Sequence, residues 1–132
     1  MKIYITHCSA KKNSSLRNTT IKVSPNELYA ATPTQRFMKA CRIKNVNWAI
    51  FSDKYGIWFP NEKHEWYEKD PNTVSEDEFE KLVKNFENKL GNYHEIFFYY
   101  NPSRFHHLYK RLLDSVKIKD KIRLISHLND IY

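Results

Sequence analysis

The sequence predicts an α/β domain, a three-layer sandwich in which a four-stranded, mainly parallel sheet lies between helices. Three observations point to it. Residues 3–8, 48–52, 96–100 and 122–126 are short segments rich in β-branched and aromatic residues and almost continuously apolar, the pattern of strands buried on both faces. Segments of helical period, two of them with clear start signals, separate these strands. The resulting alternation of strand and helix calls for right-handed crossovers, and hence parallel neighbours.

The clearest helix begins at Ser75, where Ser75 and Glu78 form a capping box ahead of Phe79, Leu82, Val83, Phe86 and Leu90, with Gly91 as the stop. A second opens with Asn101 as cap and Pro102 at the first helical position, and carries Phe105, Leu108, Tyr109, Leu112, Leu113 and Val116 on one face. Thr32 and Pro33 start a less regular helix bearing Phe37, Met38, Cys41 and Ile43, with a preceding helical turn in residues 25–31. Residues 129–132 form a tail. The longest irregular stretches are 10–24 and 56–73, and loops of that length in a compact domain are usually functional or mobile.

With 132 residues, 41% of them hydrophobic, the chain suits one core and one domain. No apolar run approaches the roughly 20 residues that cross a bilayer, and the start turns polar too soon for a signal peptide. A cytoplasmic protein with no membrane partner is expected. Cys8 and Cys41 are the only cysteines, spaced as neither a disulfide framework nor a zinc site, and read as free thiols. A balance of 22 Lys and Arg against 15 Asp and Glu gives net charge +7, which permits attraction to nucleic acid without establishing it. Acidic residues between Glu76 and Glu87 dilute that charge.

In an open parallel sheet, ligands bind beyond the carboxyl ends of the strands. Cys8, Ser9 and Lys11 follow the first strand; Ser52, Lys54, Tyr55 and Gly56 the second; Asn101, Ser103 and Arg104 the third; His127 the fourth. Four polar clusters converging on one edge form the strongest functional signal, although strand ends turn polar in any such domain. Cys8 reads either as a nucleophile, its thiolate favoured by Lys11 and Lys12, or as a small buried thiol packing the first loop. Ser14 stands where a cysteine phosphatase loop needs arginine, and there is no Cys-x-x-Cys pair. Lys11, Lys54 and Arg104 suit a phosphate or carboxylate, and the free N–H groups of the Pro102 helix add to Arg104. Lys12 reads as a solvated surface residue. Tyr29, Tyr55, Trp58, Trp66 and Tyr67 offer flat faces for stacking bases, or serve the core.

The six histidines do not suggest a metal site, because adjacent helical residues such as His106 and His107 point about 100° apart. His107 or His127 suits a general base. Gly56 and Gly91 are the only glycines, too few for a Walker loop or a dinucleotide fingerprint. No cofactor is implied.

Cys8-Ser-Ala-Lys-Lys12, then Glu27-Leu-Tyr29 leading to Phe37, then Phe51-Ser-Asp-Lys-Tyr-Gly56 followed by Pro60 and Tyr67, resembles a prokaryotic and viral domain family with a Cys-Ser-x-x-Lys start, a Leu-Tyr element and a Ser-x-Lys-Tyr-Gly centre. That family is similar to the uracil-DNA-glycosylase-like domain of archaeosine synthase, a tRNA 7-deazaguanine modification enzyme. The resemblance covers the first half of the chain closely. It implies a strand order of 2-1-3-4 for the four expected strands and a pocket for a nucleobase or nucleotide. It implicates Cys8, Ser9, Lys11 or Lys12, Tyr29, Ser52, Lys54, Tyr55 and Gly56. Asp53 stands where relatives often have Ala, and the chain lacks the water-activating Asp and the His-bearing loop of an active uracil glycosylase.

The expectation is therefore a protein of nucleic-acid metabolism, acting on tRNA or DNA bases, that holds a purine-like base or nucleotide beside Cys8, Ser52 and Lys54. Cys8, Ser9, Ser52, Tyr55 and the Asn101 end are expected to line one concavity. The alternatives are a noncatalytic RNA- or DNA-binding module, and a protein-interaction domain with an idle pocket.

Overall fold

The computed structural model describes residues 1–132. Five strands form one sheet: β1 (Lys2–His7), β2 (Trp48–Ser52), β3 (Gly56–Trp58), β4 (Glu95–Tyr99) and β5 (Ile122–Ile125), in the order β3-β2-β1-β4-β5. The expected count and order of four are thus corrected to five. β1, β2, β4 and β5 pair in parallel, while β3 runs antiparallel to β2 along one border. The extra strand is a hairpin return. Ser52 pairs with Gly56 across the loop Asp53-Lys54-Tyr55, and Gly56 takes φ +75°, a conformation that favours glycine and suits a three-residue hairpin loop.

Four α-helices accompany the sheet: α1 (Pro25–Leu28), α2 (Thr32–Lys44), α3 (Glu76–Leu90) and α4 (His107–Ser115). Register fixes the faces. Thr6 lies opposite Tyr99 and His7 opposite Phe51, and successive strand residues point to opposite sides. Phe37 of α2 stacks on Tyr99 at 5.7 Å, whereas Phe51 meets Phe86 of α3 at 6.0 Å and Tyr109 of α4 at 5.9 Å. So α2 covers one face, and α3 with α4 covers the other. Buried apolar side chains from all these layers join in a single cluster.

The capping box at the start of α3 forms in full, with Glu78 N–H to Ser75 Oγ at 3.2 Å and Ser75 N–H to Glu78 Oε1 at 3.0 Å. The helix expected from Asn101 starts later. Asn101 caps only a 3₁₀ turn, Pro102–Arg104, and α4 begins at His107, with His106 accepting from Leu108 N–H at 3.0 Å. α2 starts at Thr32 and Pro33 as expected, with Ala31 as its N-cap, but Ile43, expected on the apolar face, is 70% exposed. The two long irregular stretches are tied together, with the backbones of Val23 and His64 exchanging two hydrogen bonds of 2.9 Å. No helix is long and apolar enough to cross a membrane.

Candidate functional site

The chain direction reverses between β1 and β4. From β1 it crosses through α2 to β2 on one side, and it later returns through α3 to β4 on the other. Such a switch point splays the strand ends apart and opens a crevice there. The crevice has a volume of about 530 Å³, within the roughly 300–1,000 Å³ typical of ligand pockets. It is lined by Thr6 and His7 at the end of β1 with Ser9 just beyond, and by Tyr99 at the end of β4 with Tyr100 and Asn101 just beyond. Thr34 and Arg36 near the start of α2, and Arg104 and Ser126, complete the lining. Two arginines and no carboxylate line it, so its field favours an anion.

Beside this crevice lies a buried polar cluster. The Cys8 thiol donates to Asp53 Oδ1 at 3.6 Å and lies 3.2 Å from the Tyr109 hydroxyl. The Ser52 hydroxyl donates to the Tyr67 hydroxyl at 3.0 Å, and the Tyr67 and Tyr29 hydroxyls are 2.7 Å apart. Ser52 Oγ also accepts from the backbone N–H groups of Lys54 at 3.1 Å and Tyr55 at 3.0 Å, which folds the hairpin loop back on itself. No buried polar side-chain atom is left without a partner, as a low-dielectric interior requires.

Burial first, then the neighbouring Asp53 charge, pushes the Cys8 thiol up to about 11. At neutral pH it is a thiol, whatever Lys11 and Lys12 contribute. Burial also raises the Asp53 carboxyl above the usual range, an effect opposed by the Cys8 hydrogen bond and by Lys12. Burial keeps Tyr29, Tyr67 and Tyr109 protonated. His7 is lowered by burial; its Nδ1 is 2.8 Å from the Cys8 carbonyl, and its ring stacks on Tyr109 at 4.8 Å. A carbonyl only accepts, so Nδ1 carries the proton.

The expected site residues therefore divide. Ser9, Asn101 and Arg104 line the crevice. Cys8, Ser52 and Tyr29 are buried in the cluster. Lys54 and Tyr55, with Asp53, border a separate cleft of about 310 Å³ against Glu78, Lys81 and Asn85 of α3. The single concavity expected to hold Cys8, Ser9, Ser52, Tyr55 and the Asn101 end is not formed. The reason is steric: β2 turns straight into β3, and Tyr67 and Tyr109 fill the space over Ser52 and Cys8. Gly56 shapes the hairpin and touches no crevice. Lys11 is exposed, its carbonyl accepting from Ala30 N–H at 3.1 Å. Lys12, expected to be a solvated surface residue, is half-buried, its ammonium 4.5 Å from the centre of the Tyr67 ring. His127 is exposed between Ser126 and Leu128, which do reach the crevice.

Sequence reasoning passed over Thr6, His7, Thr34, Arg36, Tyr99 and Ser126 as crevice residues, and Asp53, Tyr67 and Tyr109 as members of the buried cluster. The signal for His7 and Tyr99 lay in the strand-end rule itself, applied one residue too late for His7 and two for Tyr99. Arg36 and Thr34 carried no local signal. No three His, Cys, Asp or Glu side chains converge as metal ligands. Neither family models, nor curated proteins, nor solved structures give any match to this chain.

Proposed function

We propose that this is a nucleobase- or nucleotide-binding protein of nucleic-acid metabolism, acting in base modification of tRNA or DNA in the cytoplasm. The observation that carries the reading is the crevice at the sheet's switch point, walled by Tyr99 and Tyr100 and flanked by Arg36 and Arg104 without a carboxylate. Aromatic faces beside guanidinium groups suit a flat base joined to an anionic group. The motif resemblance to the uracil-DNA-glycosylase-like domain of archaeosine synthase supports the same ligand class. Ser9 and Asn101 supply polar groups to read a base edge. Cys8, Asp53, Ser52, Tyr67 and Tyr29 brace the two loops beneath it, and the protonated state of Cys8 makes it a support rather than an attacking group.

The net charge of +7 and the burial of the only cysteine near the crevice favour one second reading, a noncatalytic RNA- or DNA-binding module. The test is a thermal-shift screen of nucleobases, 7-deazaguanines, nucleotides and tRNA. A ligand at 100 times its Kd that binds only the folded state stabilises it by about 2.7 kcal/mol. The expected result is a shift with a purine or 7-deazaguanine compound that is reduced in Arg104→Ala and kept in Lys54→Ala. No shift with any of them refutes the proposal. A shift with tRNA alone, lost with rising salt and indifferent to base identity, supports the binding module instead.

A further inference from the structure

The amino terminus of α2 opens into the crevice in an unusual state. Its N-cap is Ala31, which has no side-chain acceptor, and Pro33 in the first turn has no N–H. The backbone N–H groups of Thr32 and Thr34 find no acceptor in the protein. Thr34 is only 6% exposed, yet its hydroxyl makes no hydrogen bond either. No buried polar side-chain atom of the protein lacks a partner, so the little surface that Thr34 retains includes that hydroxyl, and Thr34 is a lining residue of the crevice. Arg36, two residues further along, and Arg104, another lining residue, enter no salt bridge.

From these groups we infer that the first turn of α2 is an anion subsite that takes the phosphate of a nucleotide whose base lies toward Tyr99 and Tyr100. The inference rests on the crevice being the ligand site, as proposed above. Thr34, with its free N–H and hydroxyl, and Arg36, with its guanidinium, border one crevice at the positive end of a thirteen-residue helix, where a negative group is favoured. Phosphate presents three strong acceptor oxygens to such a set, whereas a carboxylate presents two. The source of the phosphate is either a free mononucleotide or the phosphorylated end of a nucleic acid, and the chemistry recognised is the same.

The experiment is isothermal titration of guanosine 5′-monophosphate, guanosine, inorganic phosphate and a 5′-phosphorylated oligonucleotide into wild type, Thr34→Val and Arg36→Gln. Lys44→Gln, at the far end of α2, is the control. Thr34→Val keeps shape and removes only the hydroxyl; Arg36 is exposed, so its replacement leaves the fold intact. Loss of one hydrogen bond to a charged group weakens binding by roughly tenfold or more. The expected result is that loss for the monophosphate in both variants, with guanosine unaffected. If the oligonucleotide shows it and the monophosphate does not bind, the subsite stands with a nucleic-acid end as its source. Monophosphate binding unchanged in both variants overturns the subsite while leaving the nucleotide reading intact. Inorganic phosphate bound and then lost in the variants, with no purine binding, upholds the subsite and refutes the base. Binding of none of the four overturns it.

Discussion

Replacing Gly56 by alanine probes the turn that sets Asp53, Lys54 and Tyr55 in place. Gly56 has φ +75°, where a side chain costs about 1–2 kcal/mol. The new Cβ would also run into the Asn85 side-chain amide. The oxygen of that amide accepts from Ile57 N–H at 2.8 Å, and moving it aside leaves the donor of a buried residue unpaired, at about 1–3 kcal/mol. Together the destabilisation is about 2–5 kcal/mol. An unfolding entropy near 2.1 cal/mol/K per residue gives roughly 0.28 kcal/mol/K for 132 residues, so Tm should fall by about 7–18 °C. The assay is urea and thermal denaturation of Gly56→Ala, Asn85→Ala and the double variant. Both single changes lose the same hydrogen bond, so the double should cost less than their sum. Strict additivity, or a Gly56→Ala variant within about 0.5 kcal/mol of wild type, refutes the reasoning.

Three further outcomes are expected. The Asp53 carboxyl titrates above its unfolded value because of burial, so the folded state holds the proton more tightly. Its contribution to stability is greatest below the unfolded pKa and declines as pH rises through the folded pKa. Asp53→Asn should therefore flatten that decline in urea titrations from pH 4 to 8, and an unchanged pH profile counts against the assignment. Cys8, buried and shifted to about 11, should resist a thiol reagent at pH 8, where about a thousandth of it is thiolate against roughly a quarter of an ordinary thiol. Labelling at the rate seen in urea would restore it as a nucleophile. Ser75→Ala removes a complete capping box and should cost about 1 kcal/mol, or roughly 4 °C in Tm.

β1 and β2 were legible because a strand covered on both faces is written almost wholly in apolar residues, whereas β5, expected to be buried on both faces, leaves Arg123 and Leu124 exposed at the sheet border and was legible from its β-branched and apolar composition alone. α3 was legible because its cap is local, in Ser75 and Glu78. β3 was not. Three residues, Gly56-Ile57-Trp58, are too short to show a period, and Trp58 gains its place by packing on Tyr29 and Tyr55 rather than by any local preference. Asn101-Pro102 is a true cap signal, but a 3₁₀ turn satisfies it as well as an α-helix does, and His106 then supplies a second cap. The convergence of polar residues at the strand ends was readable from the sheet rule. Their division between a crevice and a sealed cluster was not, because it depends on Tyr67 and Tyr109, which approach Ser52 and Cys8 from 15 and 101 residues away.

The central position of β1 also dictates how the chain must fold. β1 precedes all its partners, pairing with β2, for instance Tyr4 with Trp48, and with β4, for instance Tyr4 with Phe97. Neither neighbour can be recruited without closing a loop of some tens of residues, and that ordering cost is met before the contacts compensate for it. Until then, Ile3, Tyr4 and Ile5, all fully buried in the folded protein, remain a sticky, unpaired template. Refolding should therefore be slow for a chain of this size and sensitive to protein concentration. Substitutions in β1 should then alter the yield of folded protein more than those in β5, which joins the sheet at its border.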